Sequence, residues 1–231
     1  MSIHTLPTPQ TQTPFNVAEA NKVLRNTYLL LGISMVPTVF GALVGLLTGF
    51  NLFSFGALTG FLLFLGIAFG MMYAIERTKD SSLGIALLLA FTFFMGLMLA
   101  NTLDFALTRY SNGGTLIVLA AGGTAVIFFA LSGIAATTQR DFSNWGKFLF
   151  VGIIVALTLV FANIFLQIPA LGLALSGLML VLFSAYLLYD VNRIVRGGET
   201  NYIMATLDVY LDIYNIFLSL LRLLMAFAGE E

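Results

Sequence analysis

Hydrophobic residues fall along this chain in seven long blocks separated by short polar stretches. A helix needs about 20 apolar residues to cross the hydrocarbon layer of a bilayer. The blocks at 28–48, 55–75, 83–101 and 115–138 each suffice. Positions 148–189 hold no charged residue and are long enough for two spans. Gln167-Ile168-Pro169 is the natural break, because proline lacks the N–H that a helix ladder needs. Spans five and six are therefore expected at 148–166 and 170–189, and a seventh at 203–228. The pattern predicts an all-α integral membrane protein with seven transmembrane helices, forming one domain over 23–231. Residues 1–22 are polar, rich in Thr, Pro and Gln, and lack the apolar stretch of a cleavable signal peptide. A short disordered cytoplasmic tail is expected there.

Composition agrees. Of 231 residues, 59% are hydrophobic and 9% charged, and mean hydropathy is +0.99. A soluble domain carries about 25% charged residues, so lipid must solvate most of this exterior. A net charge of −1 excludes a basic nucleic-acid surface. The absence of cysteine excludes disulfides, thiolate metal sites and cysteine nucleophiles. Lys22, Arg25, Arg77, Lys79, Arg140, Lys147, Arg193 and Arg196 all fall on one side of the seven-span scheme, and only Arg109 lies in an opposite loop. The positive-inside bias then puts the N-terminus in the cytoplasm and the C-terminus in the periplasm.

Small residues at four-residue spacing, Gly41/Gly45, Gly56/Gly60 and Gly66/Gly70, suggest close helix packing. Pro37 inside span one suggests a kink. Tyr73, Tyr110, Trp145 and Tyr202 sit near span ends, as an interfacial aromatic belt does.

Ionisable residues within spans are costly and need a reason. Span seven has three. Asp208, Asp212, Asn215, Ser219 and Arg222 step by four, three, four and three, which is one stripe on a helix. With apolar neighbours around it, the stripe should face the bundle interior or a water-filled cavity. Asn215, Ser219 and Arg222 are then candidate pore-lining residues, with Arg222 snorkelling toward the outer interface. Asp190 closes span six and can approach the stripe across the hairpin. Hairpin depth puts it nearer Asp208 than Asp212, and either pairing is open. Asn163, Gln167, Asn101 and Asp104 end spans on the outer side and could line a vestibule there.

Two carboxyls in low dielectric do not easily ionise together, so such a pair shares a proton and senses pH. Ionised, they are the hard oxygen ligands Ca²⁺ prefers. The competing structural reading has the acids pairing with Arg77, Arg193 or Arg196 to fix the packing. Span seven lacks the lysine of a retinal Schiff base, and the single His4 cannot build a His-Glu-x-x-His zinc site. No Gly-x-Ser-Gly or Gly-x-Gly-Asp motif supports an intramembrane protease. An enzyme is not expected, nor a resident cofactor beyond a possible Ca²⁺ ion.

Several motifs carry a resemblance. Leu188-Tyr189-Asp190 with Leu211-Asp212-Ile213-Tyr214-Asn215-Ile216-Phe217 resembles the signature of the transmembrane Bax inhibitor motif family. Ala121-Gly122-Gly123-Thr124-Ala125 and Arg140-Asp141-Phe142-Ser143 are similar to it too. The stretches 22–28, 163–167 and 197–202 resemble its bacterial YccA-type branch, and the likeness covers nearly everything after residue 21. It implies a bundle with a central last helix. It also implies a pH-sensitive Ca²⁺ leak across the bacterial inner membrane, gated by an aspartate pair that falls on Asp190 and Asp212. These two would be the Ca²⁺ ligands, Arg77 their linked arginine, and Asp208 an additional acid. The same branch resembles substrates and modulators of the FtsH membrane protease, which makes quality control of membrane proteins the alternative. A proton-coupled transporter is a third reading of the same acids.

Overall fold

A computed structural model describes residues 17–229. Seven helices follow one another: α1 (Val17–Thr48), α2 (Ala57–Thr78), α3 (Ser82–Arg109), α4 (Gly113–Thr137), α5 (Trp145–Leu166), α6 (Pro169–Val195) and α7 (Tyr202–Ala228). A 3₁₀ turn, Leu52–Phe55, joins α1 to α2. All seven helices are long and apolar enough to cross a membrane, so the expected fold class is found. Most of the expected disordered tail, residues 1–16, lies outside the described residues, but positions 17–22 are already helical. Hydropathy marks only the hydrocarbon-embedded part of a helix. At 1.5 Å per residue, the 32 residues of α1 extend roughly 48 Å, well beyond a hydrocarbon layer of about 30 Å. Its polar first turns, with Glu19, Lys22 and Arg25, form the excess.

The helix breaks follow local chemistry. α5 stops at Gln167, whose φ of 51° is left-handed. Its N–H donates to the Asn163 carbonyl at 2.9 Å, and the Asn163 side chain accepts from Ile168 N at 3.0 Å. Pro169 then opens α6 at its first position, where its missing N–H is no loss. This is the break expected within the uncharged stretch.

α7 runs through the middle, packed against α1, α2, α3, α4 and α6, while α5 rests mainly on α6. Ile75, Leu88, Phe91, Leu187, Val191 and Ile216 form much of the main core. Apolar side chains of α5 such as Phe148 and Phe150 point outward, 82% and 62% exposed, and suit lipid. Two tyrosines fasten α7 to its neighbours. Tyr210 Oη is 2.8 Å from Thr38 Oγ1 of α1, and Tyr214 Oη donates to the Met95 carbonyl of α3 at 3.1 Å.

Glycine sets the α1–α3 contact. A Cβ on Gly41 would lie 2.2 Å from the Phe93 carbonyl oxygen, and one on Gly96 would lie 2.1 Å from that of Thr38. Gly45 meets Ala100 in the same seam. Gly60 packs on the 3₁₀ turn, and Gly56 has a φ of +101°. Gly66 and Gly70 differ from expectation: nothing lies within 4 Å of either added Cβ, so that pair makes no close helix contact among the described residues.

Candidate functional site

The acidic site lies where α6 and α7 run antiparallel, toward the end of the bundle that carries the α2–α3, α4–α5 and α6–α7 loops. α6 continues past 189 to Val195, which puts Asp190 inside the helix. Asn201 starts α7, its side chain accepting from Ile203 N at 3.0 Å and Met204 N at 3.1 Å. Asp190 and Asp212 are 8% and 3% exposed, and their carboxyls lie within hydrogen-bonding reach of each other. Two carboxyls this close are held together by a shared proton or by a cation between them. Asp212 Oδ2 is buried with no partner among the described residues. Asp208 is half-buried beside them, close enough to act on both through its charge.

Backbone depth alone points to Asp208 as the partner, because Asp212 lies one turn, roughly 6 Å, deeper along α7. Side-chain direction reverses this. Cβ atoms lean toward a helix's N-terminus. On antiparallel helices, Asp190 therefore leans inward and Asp212 leans back toward the loop end, so the two converge. Asp208 leans away from Asp190.

Arg193 connects this cluster to the loops. Its Nη1 is 3.9 Å from Asp190 Oδ1, and its Nη2 pairs with Glu199. Glu199 accepts from Asn201 N at 2.9 Å. Asn201 Nδ2 donates to the Lys79 carbonyl and to Asp80 Oδ1, each at 3.0 Å, fastening the α2–α3 loop. Arg77 is elsewhere: its Nε donates to Tyr73 Oη at 2.9 Å, and its guanidinium lies 5.0 Å from the centre of that ring. The arginine nearest the acids is thus Arg193, one helical turn beyond Asp190.

Asn192 escaped the sequence reading. It is 1% exposed; Nδ2 reaches the Ala135 and Arg140 carbonyls at 3.4 and 3.3 Å, and Oδ1 accepts from Phe142 N at 3.3 Å. It clamps the α4–α5 loop onto α6. The only signal for it was an amide between Asp190 and Arg193, at the end of span six.

The rest of the α7 stripe runs toward the opposite end. Ser219 is buried and Asn215 half-buried, with Asn215 Nδ2 turned back onto the Leu211 carbonyl at 2.8 Å. Asn215, Ser219 and Arg222 line a cleft of about 280 Å³ between α5, α6 and α7, with Asn163 and Ser176 on its other walls. Arg222 also borders a second cleft of about 340 Å³ beside Phe105 and Tyr110. Of the residues expected at an outer vestibule, Asn163 lines this cleft, while Gln167, Asn101 and Asp104 line neither. Neither cleft is lined by an aspartate. Among the described residues, no group of three or more acidic or histidine side chains is disposed to hold a metal ion.

This hairpin sits in a chain with extended similarity to known proteins. The family model described as inhibitor of apoptosis-promoting Bax1 matches residues 20–229. The chain belongs to the Bax inhibitor family. Among its relatives, the modulator of FtsH protease YccA of Escherichia coli K12 is 40% identical over 94% of both chains. The same protein from Escherichia coli O6:H1, at equal identity and coverage, is described as an inner membrane protein. An uncharacterized protein of Neisseria meningitidis serogroup A is 38% identical over 91% of this chain and 93% of its own length. In this Bax inhibitor family chain, the aspartates that the motif resemblance couples are the two whose carboxyls meet. None of the relatives above bears the name of an enzyme.

Proposed function

We propose that this chain is a multi-pass protein of the bacterial inner membrane that modulates a membrane-anchored protease of the FtsH kind. The similarity to YccA carries this reading: 40% identity spans 94% of each chain, so the likeness covers the whole bundle. The loop lysines and arginines favour a cytoplasmic N-terminus and a periplasmic C-terminus. The polar N-terminal stretch would then be on the side where a protease could grip it. The test co-reconstitutes purified FtsH, a third membrane protein as substrate, and this chain. A changed rate of substrate loss and co-purification with FtsH are expected. An unchanged rate at excess chain, with no co-purification, overturns the proposal. Deleting residues 2–20 and following the chain's own lifetime shows whether that stretch is the grip.

A second reading, a pH-sensitive Ca²⁺ leak, rests on its own observation: Asp190 and Asp212 meet at the inner end of a polar stripe that leads to an open cleft. While they share a proton, the two carboxyls offer too few free oxygens for Ca²⁺, which takes 6–8 ligands. Deprotonation would expose hard oxygens and add a charge next to Arg193, which favours a different hairpin arrangement. Ca²⁺ flux into liposomes across pH tests it, comparing the native chain with Asp212→Asn. A pH-dependent native flux that the variant lacks is expected, and equal flux at every pH removes this reading.

A further inference from the structure

At the other end of the α7 stripe, Arg222 is exposed at the mouth of a cleft. Arg222 borders both clefts at that end. Among the described residues no carboxylate pairs with it: the ion pairs there, from Arg193 to Asp190 and Glu199, belong to the loop end. A guanidinium within a span is costly unless a counter-charge or water meets it, and its five donors in a planar fork suit a phosphate or carboxylate. Around it the cleft carries no other charge, and its walls mix polar side chains with apolar ones such as Val160, Leu175 and Met179. Asn163, Ser176, Asn215 and Ser219 bring amides and hydroxyls onto three helices. Asn163 spends its carbonyl oxygen on Ile168 N, which leaves its amide as a donor; that Nδ2 lies beside Gly172 on the α6 wall of the cleft. The depth also fits. Arg222 precedes the last residue of α7, Ala228, by about 9 Å of helix, within a long side chain's snorkelling reach of a headgroup layer.

We propose that the cleft between α5, α6 and α7 is an anion site for a phosphate group, held by Arg222 with Asn163 as a neutral donor. The phosphate belongs either to an anionic lipid headgroup or to a free phosphate. It supplies the counter-charge that Arg222 lacks among the described residues. None of its residues belongs to the acidic cluster.

The test is thermal unfolding of the detergent-purified full chain, titrated with phosphatidylglycerol, with phosphatidylcholine as zwitterionic control, and with inorganic phosphate against chloride. The native chain is expected to be stabilised by phosphatidylglycerol more than by phosphatidylcholine, with an apparent affinity about ten-fold weaker in Arg222→Gln. That is the effect of losing one charge-assisted interaction. Arg222→Lys keeps the charge and should retain part of the response. Asn163→Asp leaves Arg222 intact but puts a negative charge in the cleft, and should abolish the response, which covers the case of an Arg222 variant that does not fold. A response to inorganic phosphate alone would make the ligand a free phosphate. Equal responses of the native chain, Arg222→Gln and Asn163→Asp to every additive would overturn the site.

Discussion

Replacing Asp212 in two ways separates its hydrogen bond from its charge. Asp212 is 3% exposed and meets the carboxyl of Asp190, itself 8% exposed. With one shared proton the pair would carry a single negative charge. Asp212→Asn keeps that charge on Asp190 and supplies an amide donor in place of the shared proton, so it should change stability by less than about 1 kcal/mol. Asp212→Ala removes the donor and leaves a buried carboxyl facing Arg193 at 3.9 Å, too long for a hydrogen bond. An unsatisfied buried group costs about 1–3 kcal/mol. For a chain of this size each kcal/mol shifts Tm by about 2–4 °C, so the alanine variant should melt about 2–12 °C below the native protein at neutral pH. Circular dichroism melts in one detergent, with all three proteins, give the comparison. If the asparagine variant loses as much as the alanine variant, the two carboxyls are not bonded and the account of the pair fails.

Other consequences follow from the same contacts. Gly96→Ala drives a Cβ into the Thr38 carbonyl and should lower stability by about 1–3 kcal/mol through overpacking. Gly66→Ala meets open space and should be neutral or slightly stabilising from helix propensity; detergent melts of both check the contrast. Asn192→Ala orphans the Phe142 amide and the Ala135 and Arg140 carbonyls. It should cost about 1–3 kcal/mol and speed amide exchange in the α4–α5 loop, which hydrogen-exchange mass spectrometry reads. Asp141, in that loop, accepts from Ser143 Oγ at 2.6 Å and Ser143 N at 2.8 Å, and these bonds lower its pKa below the ordinary carboxylate value. Its contribution to loop order is therefore full above the ordinary carboxylate range and disappears as pH falls through the lowered value. Ser143→Ala should bring the Asp141 titration, followed by carboxyl-carbon NMR, back up toward the usual range.

The bundle was legible because lipid demands long apolar helices and proline marks their breaks. The ends were not. Hydropathy ended span six at 189 and began span one at 28, whereas α6 continues to Val195 and α1 begins at Val17, through their charged turns. The polar stripe on α7 was legible from its spacing, and it does divide into an acidic end and a cleft-lining end. The partner of Asp190 was not, because hairpin arithmetic compares backbone depths, while the tilt of Cβ atoms decides which carboxyls touch. Arg77 sits close in sequence to the loop end but turns onto Tyr73. Arg193, one of the three arginines the sequence offered as partners, has the position, one turn from Asp190. Asn192 was invisible for a different reason: its partners are main-chain groups of a loop about fifty residues away, which side-chain patterns do not encode.

The proton between Asp190 and Asp212 is directly observable in the infrared. A protonated carboxylic acid has a carbonyl stretch that a carboxylate lacks. The native protein, reconstituted in lipid at neutral pH, should show this band shifted by hydrogen bonding, and Asp212→Asn should lose it. A native spectrum without the band, or a band that persists unchanged in Asp212→Asn, would contradict a shared proton at the α6–α7 hairpin.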